Sequence, residues 1–319
     1  MSGIFTLQSF AVISNADTSI LLLNEIIQPD GYEFIHVTPE QLEEKYYKLF
    51  SFPKEQFKSN ARYIINDEMS RYISYEFFDI VRSSNILSLG QVVEDSIIFL
   101  KRNRTFEYDM ELGTVQYEGE MDNEFQEYLE DLILKLRLFN PTPIKTTVQF
   151  HKLLENNTIV SIRGYTYSSM EFNPRYSVSK KEISQFKRIY GTSFKASLVQ
   201  LAISNFSLSY QIVDKRAKVL VLMICLESLF NQGKDQISHT ISRHLAIIMS
   251  TSLDEFRTNY TRIKKLYSMR SDIVHGNKDI NPYYELEELE EYVRKAIIFC
   301  SGFGGNKKEL FEYLNAKGF

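Results

Sequence analysis

Cysteine is scarce in this chain: two residues, Cys225 and Cys300, in 319. Both sit inside apolar helical patterns, so there is neither a disulfide framework nor the Cys/His spacing of a metal site. Long apolar runs are missing too. The longest, Val219 to Leu226, has eight residues, against roughly 18 for a membrane span. The first ten residues, MSGIFTLQSF, carry no basic group ahead of an apolar stretch and do not read as a secretory signal. These absences lead to the expectation of a cytoplasmic protein that does not engage a membrane. No internal repeat or low-complexity tract is visible. What remains is an ordinary globular composition, 44% hydrophobic and 24% charged, long enough for two domains.

The charge is unevenly spread. Residues 1–150 hold 13 Lys and Arg against 24 Asp and Glu, whereas residues 151–319 hold 24 against 17. A basic second half suits an anionic partner such as nucleic acid; it also suits an acidic first half across an interface.

The texture of the chain changes with the charge. In the first half, Thr38-Pro39-Glu40-Gln41 predicts a helix running to about Phe50. Ser96 to Lys101, Thr114 to Glu118 and Thr158 to Tyr167 are β-branched and aromatic, as strands are. Lys101-Arg102-Asn103-Arg104 reads as a turn, and a helix is expected from Asp122 to Phe139. From Ser179 the pattern is helix after helix, with starts at Ser179, Ser193, Asp214, Ile237, Ser252, Asn281 and Asn306. The expected fold is therefore α+β: a mixed α/β domain over residues 1–172, then an all-α bundle over 173–319.

The helix expected from Leu253 to His275 carries the informative residues. Phe256, Tyr260, Ile263, Tyr267 and Val274 recur at the spacing of a core-facing stripe, and Arg270 falls on that stripe. An arginine there needs a partner or a cleft. His275 follows five residues later, so the two side chains point about 140° apart around the helix. Upstream, Glu227 lies within the apolar face of VLVLMICLESLF and needs a cation, for which Arg270 or Arg243 is available. On spacing alone, two readings stay open. Glu227 and Arg270 form a structural ion pair with His275 capping a helix end, or the three belong to a site.

The words around these residues add to this. Leu266-Tyr267-Ser268-Met269-Arg270-Ser271-Asp272-Ile273-Val274-His275-Gly276 resembles the signature helix of HEPN domains, in particular the ApeA-like HEPN group. Leu222 to Phe230, LMICLESLF, is similar to the helix that precedes it there, with Glu227 in the matching place. Ile241-Ser242-Arg243-His244-Leu245-Ala246 is similar to that group's arginine-containing linker helix. The resemblance covers about residues 179–299. It implies a HEPN-like bundle and metal-independent endoribonuclease activity by a homodimer, with no cofactor. Arg270 and His275 would be the catalytic pair, and Glu227, Arg243, Ser271 and Asp272 would support them. Attack of an RNA 2′-hydroxyl on the neighbouring phosphodiester would leave a 2′,3′-cyclic phosphate and a 5′-hydroxyl. The residue types suit that chemistry: histidine titrates near neutrality, and a guanidinium can grip phosphoryl oxygens. The resemblance further implies a toxin or effector of bacterial anti-phage defence (abortive infection). The first domain would then sense a protein or phage-derived trigger.

Arg262, Lys264 and Lys265 are candidates for contact with RNA phosphates, or for a solvated basic helix face. His36, His151, His239 and His244 have no ligand-like spacing and read as surface or core histidines. The rival to the nuclease is a non-catalytic HEPN module that binds RNA or assembles a complex. A third reading, with the enzyme in the first half, finds no catalytic cluster in residues 1–170.

Overall fold

In the computed structural model, residues 2–37, 63–65, 72–73, 97–109, 114–155, 158–166, 175–231, 233, 236–276 and 282–317 are described. The helix expected over 38–50 lies outside them. The chain is an α+β protein that divides into two compact units after Lys187.

The first unit contains seven described strands: β1 (Ser2–Ser14), β2 (Tyr32–Val37), β3 (Tyr63–Ile65), β4 (Tyr72–Ile73), β5 (Ile97–Asp109), β6 (Lys145–Glu155) and β7 (Thr158–Thr166). They form one sheet in the order β2-β5-β1-β6-β7-β3-β4. Every pairing is antiparallel except that of β3 with β7. A short helix α1 (Asn24–Ile27) precedes β2, and the long helix α2 (Thr114–Phe139) joins β5 to β6.

Two sequence expectations change here, and one strand had no expectation. β1 is an inner strand with no clean alternation, because Phe5, Leu7, Ala11 and Ile13 on one face and Phe10 and Val12 on the other are all buried. Thr114 to Glu118, expected as a strand, forms the first turns of α2. Tertiary context overrides a local β preference in so short a segment. Lys101 to Arg104, expected as a turn, lies within β5. Lys101 pairs with Glu33 at 2.9 Å, and Glu124 of α2 takes both Arg102, at 3.3 Å, and Arg104. Opposite charges on a strand and its covering helix let a basic run stay extended.

Strand register aligns a polar row beneath α2. Tyr32 pairs with Arg102, Arg102 with Ser9, and Ser9 with His151. Buried His151 meets Ser9 Oγ through Nδ1 at 2.8 Å and Gln149 Nε2 through Nε2 at 3.0 Å. Phe125 of α2 packs edge-on against the imidazole at 5.5 Å. Buried polar groups in this row thus have partners, as burial demands.

The second unit is helical: α4 (Ser197–Ser209), α5 (Lys215–Phe230), α6 (Ile237–Met249), α7 (Leu253–Val274), α8 (Tyr283–Gly302) and α9 (Lys307–Ala316). The start expected at Ser193 falls instead at Ser197, after Ala196, which offers no capping side chain, and Asn281 lies outside the described residues; other capping signals act where the sequence puts them. The carboxylate of Asp214 accepts from Ala217 N–H at 2.8 Å, and Asn306 and Glu309 form a capping box.

The division between the units falls inside α3 (Ile183–Tyr190), later than the expected joint at 172/173. Residues 176–186 pack with the sheet unit. Tyr176 bridges Ala16, donates its N–H to Asn15 O at 2.8 Å, and is fully buried. Phe186 packs edge-on against Phe139 of α2 at 5.4 Å. The helical texture starts at Ser179, but the apolar face of the first helix there belongs to the α2 core.

Tyr176 therefore anchors the first unit. Tyr176→Ala is expected to cost about 3–5 kcal/mol in denaturant unfolding of the full chain. Tyr176→Phe is expected to cost only about 1 kcal/mol, because Leu136 O, which accepts its hydroxyl, also accepts from Asn140 N–H. Equal losses for the two variants would refute the anchoring role of the ring.

Candidate functional site

Helix α7 is 22 residues long but buries only Ile263 and Leu266. Ser252 caps its start, with Asp254 and Glu255 in the first turn, where acidic groups suit the positive helix end. His275 is the C-cap: its N–H donates to Ser271 O at 3.0 Å, and Gly276 follows with φ +83°. A left-handed residue after the helix is the usual way to stop it, and glycine adopts that conformation without strain.

The expected core-facing stripe of α7 is largely an open flank. Val274 is 53% exposed, and Phe256, Tyr260, Tyr267 and Arg270 are half-buried. On α5, Ile224 is 40% exposed beside half-buried Glu227. The spacing identified residues that share one side of the helix, but among the described residues of the helical unit that side stays partly open.

Glu227 and Arg270 meet across α5 and α7. Arg270 Nη2 lies 3.4 Å from Glu227 Oε1, and Tyr267 Oη donates to the same oxygen at 3.1 Å. The guanidinium also sits 5.9 Å from the Tyr267 ring centre. Burial, reinforced by the Glu227 charge and hydrogen bond, raises the pKa of the Tyr267 hydroxyl, so it remains a donor. Arg270 is held by one edge, and the rest of its N–H fork makes no hydrogen bond among the described residues. Tyr267 is the member that sequence reasoning passed over as part of an apolar stripe. The available signal was its place one turn before Arg270, toward a helix carrying a carboxylate.

The other expected residues fall elsewhere. His275 is exposed and has no side-chain partner among the described residues. Ser271 is half-buried and Asp272 exposed. Arg243, a candidate partner for Glu227, instead reaches the end of α9: it donates to Leu314 O at 3.3 Å, Asn315 Oδ1 at 3.0 Å and Lys317 O at 3.4 Å. It lies on a different face of α6 from the buried Ile241 and Leu245. Arg262, a candidate for phosphate contact, is tied to Glu288 of α8 at 2.6 Å. Lys264 and Lys265 are exposed.

Beside Arg243, His244 is buried and shares Asn315 Oδ1 at 3.1 Å. Because that oxygen accepts, Nε2 carries the proton, and Nδ1 is buried with no partner. Burial lowers the His244 pKa from its usual value, and the nearby Arg243 and His239 add to the effect.

Among the described residues, no group of three His, Cys, Asp or Glu is placed to hold a metal ion, and no helix is long and apolar enough to cross a membrane. No family model, curated protein or solved structure matches the chain.

Arg270→Ala is expected to destabilise the chain by about 1–3 kcal/mol, less than a fully buried pair would lose, since Glu227 keeps the Tyr267 bond and some contact with water. Adding Glu227→Gln should recover part of that loss in urea unfolding; strictly additive losses would rule out coupling. The depressed His244 pKa means that the unfolded chain takes up this proton first as pH falls. The His244 contribution to stability is thus intact above about pH 6.5 and shrinks as pH falls toward the lower folded pKa. His244→Leu should flatten the pH dependence of the melting temperature in that range, and an unchanged slope would contradict the assignment.

Proposed function

We propose that the helical unit is a metal-independent endoribonuclease of the HEPN type, acting as a homodimer, with Arg270 and His275 as its catalytic pair. The observation that carries this reading is the arrangement at the end of α7. An arginine is gripped by one edge, with its remaining N–H fork uncommitted, and an exposed histidine lies five residues on. The guanidinium would bind two phosphoryl oxygens and stabilise the charge that gathers on them as the 2′-hydroxyl attacks. His275 would move protons to or from the reacting oxygens. Tyr267 and Glu227 would hold the guanidinium in orientation.

A dimer follows from the divergence of the two side chains. Pointing about 140° apart on one helix, they converge most simply when a second copy supplies the opposite wall about a two-fold axis. Exposed Val274 and Ile224 flank the cluster and offer the apolar contact such an interface needs. The sequence resemblance supports the wider setting, a toxin or effector in anti-phage defence whose first unit senses a protein or phage-derived trigger.

One observation favours a second reading, a non-catalytic module that binds RNA or assembles a complex: Arg270 already has a carboxylate partner. Ribonuclease activity measured in EDTA separates the two. The nuclease reading expects cleavage that survives chelation and is abolished in His275→Ala, with stability changed by no more than about 1 kcal/mol because the side chain is exposed. A stable, fully active His275→Ala protein would end the assignment. Full activity from a species that light scattering shows to be monomeric would end the shared-cleft mechanism.

A further inference from the structure

Resting on the ribonuclease reading for its ligand, we propose that the open flank of α7 carries a track for single-stranded RNA, formed by Tyr260, His239 and Lys264 and leading to His275. At 100° per residue, Tyr260, Lys264, Ser271 and His275 fall within about 60° of one another, and Lys264 lies about 16 Å from His275 along the axis. Buried Ile263 and Leu266 occupy a different sector of the same helix.

The Tyr260 ring is held in advance. Its hydroxyl meets Nδ1 of exposed His239 on α6 at 2.9 Å, with the two rings 5.8 Å apart at 71°. Phe256 stacks on it from the preceding turn, 6.1 Å away at 28°. A half-exposed aromatic fixed from two sides loses little freedom when a base stacks on it.

Charge complements the aromatic. Along α7, Arg257, Arg262 and Arg270 are paired with Asp254, Glu288 and Glu227. Lys264 and Lys265 make no ion pair among the described residues, and the Lys264 ammonium sits 5.9 Å from the Tyr260 ring centre. A free ammonium beside an ordered aromatic face suits a single strand: a base stacks on the ring and its phosphate meets the lysine. A duplex keeps its bases inside and offers this surface only phosphates and hydroxyls.

The test is fluorescence anisotropy of the full chain with labelled 2′-O-methyl oligouridylate, a probe that lacks the hydroxyl needed for cleavage. Tyr260→Ala should weaken binding about tenfold with little change in salt dependence, whereas Tyr260→Phe, which keeps the ring and its Phe256 stack but loses the His239 contact, should bind more weakly than the parent yet more tightly than Tyr260→Ala. Lys264→Glu, an exposed change that spares the fold, should weaken binding and reduce the slope of log affinity against log salt by about 1. Lys308→Glu, the same charge change on an 85% exposed side chain of α9, should have no effect. Unchanged affinity in both Tyr260→Ala and Lys264→Glu overturns the track. So does a matching duplex that binds as tightly as the single strand, or a parent chain that binds neither. Cleavage assays keep the two proposals apart. Variant-sensitive binding by a chain that never cleaves RNA supports the track and fails the nuclease reading; cleavage with variant-insensitive binding fails the track alone.

Discussion

A helix of 22 residues that buries two side chains is poorly anchored by apolar contact, so polar ties must set its orientation. Glu227 supplies one tie, from α5, through Arg270 and Tyr267. Glu288 supplies a second, from α8, through Arg262, and the hydroxyl of Tyr292 on the same helix lies 3.4 Å from Asn259 Oδ1 of α7. The His239–Tyr260 contact adds a third, from α6. Three neighbouring helices thus hold α7 by directional contacts spread along its length. Directional contacts fix rotation about the helix axis as well as position, and the aim of Arg270 and the exposure of His275 depend on that rotation.

The same constraint explains why the flank stays open. A face sealed by apolar packing would strip Glu227 and Arg270 of water, and a face with no ties would let them drift. Partial burial lies between these limits: Glu227 and Arg270 attract more strongly than in bulk water yet keep part of their hydration. At the far side of α6, Arg243 and His244 spend their hydrogen bonds on the end of α9. They serve the bundle's integrity and leave the Glu227 carboxylate to Arg270 and Tyr267.

The first unit uses polar groups differently. Its row from Tyr32 to His151 lies across four strands beneath α2 and joins charge, ring stacking and hydrogen bonds within a covered sheet. Tyr32 stacks on Tyr128 of α2 at 3.4 Å, and Arg102 lies 5.0 Å from the Tyr32 ring. A buried row of this kind specifies strand register, because a slip by one residue would strand its polar groups against apolar neighbours.

Much of the helical half was legible in the sequence, though the helix expected from Ser193 begins at Ser197. Helix starts and stops are local: Asp214, Ser252, Asn306 and Gly276 act on backbone groups a few residues away, so their spacing is enough to locate them. The residues facing the α5–α7 groove were legible too, since periodicity alone puts Tyr267, Arg270 and Val274 on one side. What only the tertiary structure decided depends on partners distant in the chain. It selected Arg270 over Arg243 for Glu227, tied Arg262 to Glu288, added Tyr267 to the cluster, and drew residues 176–186 into the sheet unit. It also made an inner strand of the first residues and an extended strand of a basic run. Local propensity counts neighbours within a turn or two, whereas strand pairing and ion pairing are settled by which distant groups the folded chain brings within a few ångströms.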